Sequence, residues 1–525
     1  NLAGFKLEQQ GVSTMFALNS APSVIAQAAG IRAGDGYKGS VDAPTFFDLD
    51  NRVVYGQANV YTEAFDLRLL ASDQYVVTRS LYDFDGSAVP LVQFEAVKQF
   101  ADVQTGELQI LSNNTSWGSD WLQWIGGAYY FKSRQGFDPV QLAVGGINVA
   151  DGRLLGLDLA DIGLSQTLFD NLGQLLSPLP LVDGIPSGTI VAYGVIDTES
   201  TAGFAQATAR FTDWASLTLG ARYQVEDREI HKSQSFAEGT GVAINPSGAG
   251  LKDTTKSFKP KVSLDLRPMD DVLIYLAYQQ AIKSATYNVI NIYDRADYVN
   301  PEKMDAYEAG IKTQLFDRLV TFNAAVFQYD LTDLQVQFIS LLQGGAVTFE
   351  NAGGARVRGV DFDTTVQLFP DVVDALVFTA GGAFLDGKYT DYRNASGFND
   401  QGILTTNNDF TGNDITRTPE FSGTVGLSKT FFDVGNGDLE IAVDAYYNSG
   451  FYYLAQNTAF NEEDAYTVVG ARVSYFYTPW KLRATVFGKN IFDEDYNYSR
   501  FTNDFGALDA KAPPAIVGVR LNWDF

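Results

Sequence analysis

The sequence predicts an all-β fold, a transmembrane antiparallel β-barrel. Apolar and polar residues alternate in about 17 segments, most of them near the ~9–11 residues that a tilted strand needs to cross a bilayer. The connections alternate between short and long, which is typical of a barrel with short periplasmic turns and long extracellular loops. Aromatic residues make up 13% of the chain, and many lie near predicted strand ends, where their rings suit the headgroup level of a membrane.

The predicted strands run from 52–62 to 513–525. In the last one, "IVGVRLNWDF", apolar residues fill one row and mostly polar residues fill the other. Because side chains of a strand alternate between its faces, we expect the apolar row to face lipid and the polar row to face the lumen. A soluble sandwich would show the same alternation, but it gives no reason for the long loops to collect at one end. The barrel is therefore favoured.

The connections carry their own signals. Short ones such as "RPMDD" and "DVGNGD" contain Pro, Asp and Gly, which favour tight turns. The longest connection, 133–197, has about 65 residues, and a loop of that length usually has its own structure. We predict for it either a lid or docking site for a surface protein partner, or a simple cap over the barrel mouth.

The composition excludes several classes of function. The chain has no Cys and one His, His231, so the usual ligands of a zinc or haem site are lacking. Its net charge of −26 argues against nucleic acid as a partner, since phosphate binding needs clustered Lys and Arg. No nucleophile and base stand out as a pair. We expect no catalytic residues, no metal site, no cofactor and no enzymatic activity.

Five stretches of the C-terminal half form an ordered set. They are "PEKMDAYEAGIKTQLFDRLVTFNAAVFQYDLTDLQVQ" (301–337), "ENAGGARVRGVDFDTTVQLF" (350–369), "RTPEFSGTVGLSKTFF" (417–432), "VFGKNIFDEDYN" (486–497) and the final "GVRLNWDF". In order and spacing, over about residues 250–525, they resemble a TonB-dependent receptor, the outer-membrane active transporter of Gram-negative bacteria.

The resemblance implies a barrel of 22 strands in the bacterial outer membrane that takes up a scarce nutrient. Ferric siderophores, cobalamin, haem and carbohydrates are the substrates of this family. The resemblance further implies that substrate binds at the loops and plug, and that the TonB complex, acting through the N-terminal part of the receptor, opens a path. Outer-membrane lipid and lipopolysaccharide are the expected surroundings of the barrel.

The chain departs from the family pattern at its N-terminal side. No plug is recognisable, and about 17 strands are predicted instead of 22. Counting turns and loops back from the last strand makes 52–62 an inward strand, so an outward strand must precede it. We therefore expect 1–51 to be an extracellular loop or a poorly defined N-terminal part of the barrel, and 52–525 to be the barrel. The plug and first strands are expected to be missing from the sequence.

Two loops combine aromatic and polar residues that suit stacking on sugars or aromatic chelators. "NIYDRADY" contributes Tyr293, Arg295 and Tyr298, and "FYYLAQN" contributes Tyr452 and Tyr453. We predict these five as substrate-binding residues, with membrane-girdle residues as the alternative.

The last strand also has a candidate role of its own. Its apolar row resembles the signal by which outer-membrane barrels are recognised for assembly, and it consists of Val517, Val519, Leu521, Trp523 and Phe525. Acidic clusters at 461–464 and 493–496 are predicted to be solvated surface, with cation binding as the alternative.

Two other functions remain open from sequence. The first is a passive, substrate-specific porin of 18 strands, in which residues 1–50 would supply one further strand. The second is an outer-membrane barrel enzyme, which the lack of a catalytic set argues against.

Overall fold

The barrel strands follow one another along the whole chain. The computed structural model describes residues 2–10, 18–34, 37–39, 41–43, 45–345, 347–370 and 375–523. Within them the main sheet has 18 strands. They are β1 (Leu2–Gln10), β2 (Phe46–Tyr61), β3 (Asp66–Asp83), β4 (Val92–Leu111), β5 (Leu122–Val144), β6 (Gly188–Thr212), β7 (Ala215–Ala237), β8 (Lys252–Met269), β9 (Val272–Lys283), β10 (Glu302–Leu315), β11 (Val320–Phe338), β12 (Thr348–Gln367), β13 (Leu376–Asp391), β14 (Phe421–Phe431), β15 (Gly437–Asn448), β16 (Tyr466–Tyr477), β17 (Leu482–Lys489) and β18 (Ile516–Trp523).

Each strand pairs antiparallel with the next one in the chain, from β1 to β18. Such a meander puts alternate connections at opposite ends of the sheet, as the loop pattern predicts. Among the described residues, β1 pairs only with β2, and β18 pairs only with β17. None of the helices in the described ranges is long and apolar enough to cross a bilayer.

The strand register separates a lipid face from a lumen face. Ile441, Val473, Val486 and Val519 are direct neighbours across β15 to β18, and each is at least 42% exposed. Such a continuous exposed apolar row is what a hydrocarbon environment requires. On the other face of β17, Thr485 pairs with Arg520, and its hydroxyl lies 2.9 Å from that of Ser474.

Aromatic residues surround the turn end of the barrel. Trp117, Phe316 and Trp480 lie in or beside turns and are 66–80% exposed. Large exposed rings at this height form the aromatic girdle of an outer-membrane barrel. Their exposure therefore agrees with the predicted periplasmic end.

The loop end folds into a hydrophobic core of its own, which we call the dome. Its largest helix, Gln166–Leu176, begins at the N-cap Ser165, whose hydroxyl accepts a hydrogen bond from the Leu168 amide at 3.3 Å. Leucines spaced three, four or seven residues apart give this helix one apolar face, and that face is buried. The core of the dome draws residues from eight connections, among them Ile25, Phe84, Leu91, Leu168, Leu172, Leu175, Ile290, Tyr293, Leu341, Phe398, Ile403 and Phe505.

Two parts of the sequence-based assignment change. The long loop predicted at 133–197 is reduced to 145–187, because β5 and β6 continue pairing well above the apolar band. Leu2–Gln10 is a strand that the poor alternation of its residues did not predict, and it pairs with Phe46–Val54 of β2. It runs outward, as the strand before β2 must. The strand Leu18–Pro22 lies in the dome, paired with Gly506–Lys511.

Candidate substrate chamber beneath the loop dome

The dome helix is fastened to loops on other sides of the barrel mouth. The Asn171 side chain donates to the Leu342 carbonyl at 2.9 Å. The Gln174 side chain donates to the carbonyls of Ile244 and Tyr293 at 2.8 and 3.1 Å. The helix thus connects three loops through hydrogen bonds as well as through its leucines.

Asp504 is a second connection inside the dome. Its carboxylate accepts hydrogen bonds from the Ser340 hydroxyl at 2.7 Å and from the Leu341 amide. Its backbone carbonyl accepts from the Ser23 hydroxyl at 2.6 Å. The side chain is 2% exposed, and this burial raises the pKa of Asp504 to about 6.

Asp83 and Asp85 form a buried acidic turn at the end of β3. Asp83 accepts from the amides of Asp85, Gly86 and Ser87, and Asp85 accepts from the Ser87 hydroxyl and the Val92 amide. Burial, together with the proximity of acidic neighbours, raises the pKa of both carboxyl groups. Because their oxygens are occupied by these donors, they hold the turn.

Under the dome, the lumen side of β3 to β6 bounds a chamber of about 620 Å³. One row of its lining crosses four strands in register, as Val76, Ala101, Gln135 and Ile196. Loop residues close the chamber from the dome side. The lining residues from this side are Thr286, Tyr287, Asn288, Val289, Ile290, Val347 and Phe349.

Asn288 fixes the two loop segments of this lining to each other. Its side chain donates to the Phe349 carbonyl and accepts from the Phe349 amide, both at 2.9 Å. Gln99 and Gln135 also line the chamber, and their side chains have no hydrogen-bond partner among the described residues. The chamber therefore offers free amide groups beside aromatic and aliphatic surface.

The chamber lining has no Asp, Glu, Lys or Arg. Just below it, the hydroxyls of Ser133, Thr198 and Ser200 are buried and unpaired. Ser133 and Thr198 face each other across β5 and β6, two residues along from Gln135 and Ile196. On β7, Arg228 and Glu226 lie opposite Thr198 and Ser200 and pair with each other at 2.8 Å, so charged lumen groups begin directly beside these hydroxyls.

The three residues predicted in the "NIYDRADY" loop differ in their exposure to solvent. Tyr293 is 3% exposed, and its hydroxyl donates to the Leu341 carbonyl, so it anchors the dome. Arg295 is exposed. Tyr298 is 44% exposed and packs edge-on against Tyr287 of the chamber lining, with ring centroids 5.5 Å apart.

Tyr452 and Tyr453 lie in another loop of the dome, between β15 and β16. The Arg417 amide donates to the Tyr452 carbonyl at 2.8 Å. Tyr453 is 6% exposed, its hydroxyl donates to Glu463 at 3.0 Å, and Arg417 lies 5.1 Å over its ring. None of the five predicted residues is among those that line the chamber.

The acidic clusters, His231 and the apolar row of the last strand are placed as follows. Glu463, in the first acidic cluster, accepts from Tyr453 and from the amide of Asn497. In the second cluster, Asp495 pairs with Lys511 at 2.8 Å. His231 lies 3.4 Å from Asp197. Val517, Val519, Leu521 and Trp523 are 63–79% exposed, and Phe525 lies outside the described residues.

The chamber residues were missed because the predicted strands stop too early. The alternation of β5 continues through Phe131, Ser133, Gln135 and Phe137, so the period-two pattern itself was the available signal.

Taken together, the apolar outer row, the polar lumen row, the girdle and the one-sided loops define an outer-membrane β-barrel. A model of the TonB dependent receptor-like β-barrel matches residues 17–491. The chain belongs to this family, and it is an outer-membrane protein.

Solved structures show the same fold. The ferric yersiniabactin uptake receptor FyuA from Yersinia pestis is 16% identical, with a TM-score of 0.69, and the match covers 96% of this chain and 65% of FyuA. The siderophore receptor PiuA from Acinetobacter baumannii is 15% identical, with a TM-score of 0.68 over 99% of this chain and 71% of PiuA. The ferric-catecholate import receptor Fiu from E. coli K12 is 14% identical, with a TM-score of 0.61 over 99% and 71%.

Proposed function

We propose that this chain forms the barrel of a TonB-dependent importer that carries a scarce nutrient across the outer membrane. The observation that carries the proposal is the chamber under a packed dome. A permanently open porin needs a clear mouth, whereas here the loops bury an apolar core above the lumen. Moving such a lid costs free energy, which energy coupling through TonB would supply.

The proposed substrate site is the chamber, with Tyr298 at its edge through Tyr287. Its volume lies within the ~300–1,000 Å³ of small-molecule pockets. The absence of charged residues from its lining favours a neutral ligand, because an anionic chelate would lose its hydration without gaining a cation. Of the family's substrates, a carbohydrate or a cobalamin fits this chemistry better than haem or an anionic ferric chelate.

Calorimetry on the purified protein tests the site with cyanocobalamin, a maltooligosaccharide and ferric citrate as probes. We expect a neutral probe to bind and the double substitution Gln99→Ala and Gln135→Ala to weaken it. Gln141→Ala, on the same strand as Gln135 but outside the lining, is the matched control. Tight binding of ferric citrate alone, unaffected by the double substitution, contradicts the site.

Uptake by cells with and without TonB tests the energy coupling. A passive porin is the second candidate, because β1 brings the described sheet to the 18 strands which that alternative requires. Steady conductance through planar bilayers without TonB would favour the porin.

The matched family consists of receptors and transporters, and we propose no enzymatic role. Hydrolysis of a substrate by the purified barrel would contradict this.

We also propose, from its sequence pattern, that the apolar row of β18 contributes to recognition by the barrel assembly machinery. Val519→Asp or Leu521→Asp should then reduce the amount of barrel in the membrane more than Asn522→Asp on the lumen face. Equal insertion of all three variants would contradict the proposal.

A further inference from the structure

Three cations lie together on the lumen side of β7 and β8. Arg222 and Lys259 are direct neighbours across the two strands, and Lys261 lies two residues further along β8. Leu219 and Tyr223, on the outward side of β7, are 53% and 51% exposed. Because Arg222 alternates with them along the strand, it and its two neighbours on β8 face the lumen at the level of the apolar band.

The placement of Arg222 opposite Lys259 is unfavourable by itself. Like charges that lie directly opposite each other on neighbouring strands repel. Arg222 Nε and Lys259 Nζ both donate to one neutral oxygen, that of the Gln224 side chain, at 3.3 and 3.1 Å. In the part of the chain that the structure describes, Arg222, Lys259 and Lys261 have no carboxylate within 4.0 Å. Since the chain has a net charge of −26, three neighbouring cations without a counterion indicate an anionic partner from outside the wall.

Carboxylates on the surrounding wall are engaged in other contacts. Toward the loop end, Glu226 pairs with Arg228 at 2.8 Å, and Glu107 on β4 accepts from the amide side chain next to it at 2.6 Å. Toward the turn end, Asp265 accepts from the Ser263 hydroxyl at 3.0 Å. The wall thus supplies no carboxylate in contact with the three cations.

The position of Arg222 leaves its hydrogen-bond donors free. Its guanidinium carbon lies 5.0 Å from the ring centroid of Tyr129 and 6.0 Å from that of Phe204, so two aromatic rings support it. Among the described residues, the Nη groups of Arg222 and the ammonium group of Lys261 have no hydrogen-bond partner. A planar guanidinium beside two ammonium groups is suited to binding an oxyanion.

We propose that Arg222, Lys259 and Lys261 form a binding station for an oxyanion, the phosphate or carboxylate group of a small solute in the lumen. Arg222 contacts two oxygens of this group through its guanidinium, and the two lysines neutralise the remaining charge. Ionisable residues that face the lumen at membrane depth are typical of solute pathways.

The station is separate from the chamber. Gln135 of the chamber lies opposite Ile196 on β6, whereas Arg222 lies opposite Phe204 on the same strand, eight residues further from the loops. At the strand rise of ~3.4 Å per residue, this distance is about 27 Å. A small molecule in the chamber does not reach the station, so the station is independent of the proposed function and applies to an importer and to a porin.

Phosphorus-31 NMR of the purified protein at low ionic strength, with inorganic phosphate as the probe, tests the proposal. Arg222→Gln should weaken phosphate binding about tenfold, equivalent to ~1.4 kcal/mol, because charge-assisted hydrogen bonds are lost. Lys259→Gln should weaken it as well. Arg68→Gln is the matched control, since Arg68 lies in the same row of the wall four strands away, where it donates to Asn59 and Gln109.

Thermal stability separates a binding role from a structural one. Because Arg222 and Lys259 repel each other, Lys259→Gln should keep or raise the temperature at which the barrel loses its compact, heat-modifiable form on gels, while phosphate binding falls. Phosphate should raise this temperature in the unmodified protein and in Arg68→Gln, but not in Arg222→Gln.

Three results would overturn the assignment. These are no phosphate binding by the unmodified protein, equal loss of binding in Arg68→Gln and Arg222→Gln, and a lower melting temperature in Lys259→Gln. Should Arg222→Gln fail to form a barrel, Lys259→Gln alone must lower phosphate binding for the proposal to stand. Binding of a neutral probe in the chamber should be the same in Lys259→Gln as in the unmodified protein, so failure of the chamber and failure of the station are measured separately.

Discussion

Arg500 and Asp509 form a two-point ion pair inside the dome, with Nε to Oδ1 at 2.6 Å and Nη2 to Oδ2 at 3.0 Å. Asp509 is 2% exposed and Arg500 13%. Arg500 also donates to the carbonyls of Phe460 and Glu462 in the neighbouring loop. One guanidinium thereby joins two loops that are separate in sequence.

Substituting Asp509→Ala should loosen this part of the dome. Removing one partner of a buried ion pair costs ~3–5 kcal/mol, because the other charge stays buried without compensation. Hydrogen exchange of the amides in 497–511 should accelerate accordingly.

Asp495→Ala serves as the control for that measurement. It removes the ion pair with Lys511, but Asp495 is 58% exposed, and exposed pairs contribute at most ~1 kcal/mol. Equal acceleration in the two variants would mean that the buried pair contributes no more than the surface pair.

Asp504 should make the dome dependent on pH. Burial raises its pKa to about 6, above the 3.8 of an ordinary Asp, so the folded dome binds the proton more tightly than the opened one. The resulting stabilisation is complete below about pH 4 and is lost as pH rises through about 6. A pKa shift of this size corresponds to about 3 kcal/mol in the free energy that stabilises the closed dome.

Hydrogen exchange at Leu341 and Leu342, corrected for intrinsic rates, measures this effect between pH 4 and 7. In Asp504→Asn, which cannot ionise, the opening free energy at these amides should be independent of pH. A pH dependence as steep as that of the unmodified protein would assign the effect to other carboxyl groups.

A disulfide across the dome should block uptake if the dome must move. Ala21 and Ala507 lie opposite each other in two paired strands from different loops, and such pairs have Cβ atoms ~4.5–5.5 Å apart. The chain has no cysteine of its own. With Ala21→Cys and Ala507→Cys together, oxidation should abolish most of the uptake and a reductant should restore it.

The two single cysteine variants control for the substitutions themselves, and each should transport normally under oxidising conditions. Full uptake by the oxidised double variant would show that substrate passes without separation of these loops.

Asn288→Ala should weaken binding of a neutral probe without removing any hydrophobic surface of the chamber. It breaks both hydrogen bonds to Phe349 and leaves those backbone groups unpaired, at ~1–3 kcal/mol each. Asn288→Asp keeps the acceptor and loses the donor. Its affinity for the probe, measured by calorimetry, should therefore lie between those of the unmodified protein and Asn288→Ala. An unchanged affinity in Asn288→Ala would show that the two segments hold their positions independently.

The barrel strands could be predicted because lipid on one face and a polar lumen on the other impose period-two alternation. Each of the 17 predicted segments corresponds to one strand of β2 to β18. Above the apolar band this constraint weakens, which is why β5 and β6 were predicted too short. Leu2–Gln10 was missed for a related reason: it is paired through backbone hydrogen bonds with β2, and these depend little on side-chain pattern.

The dome and the chamber could not be predicted in the same way. Tyr293 and Tyr453 look like exposed binding residues in sequence, because aromatic residues beside Asp and Asn are typical of such surfaces. Their burial depends on contacts with loops distant in sequence, such as Leu341, 48 residues from Tyr293, and Gln174, 119 residues from it. Local patterns contain no information about these long-range contacts.

The buried core of the dome also limits how the outer surface can diverge under immune or phage pressure. A substitution at Leu172 or Phe505 would disturb several loops at once, since both belong to the shared core. The hairpin tip at Leu181 to Gly184 is fully on the outside, and changes there leave the core intact. Antigenic variation should therefore concentrate at such tips, while the inward faces of the loops change together or not at all.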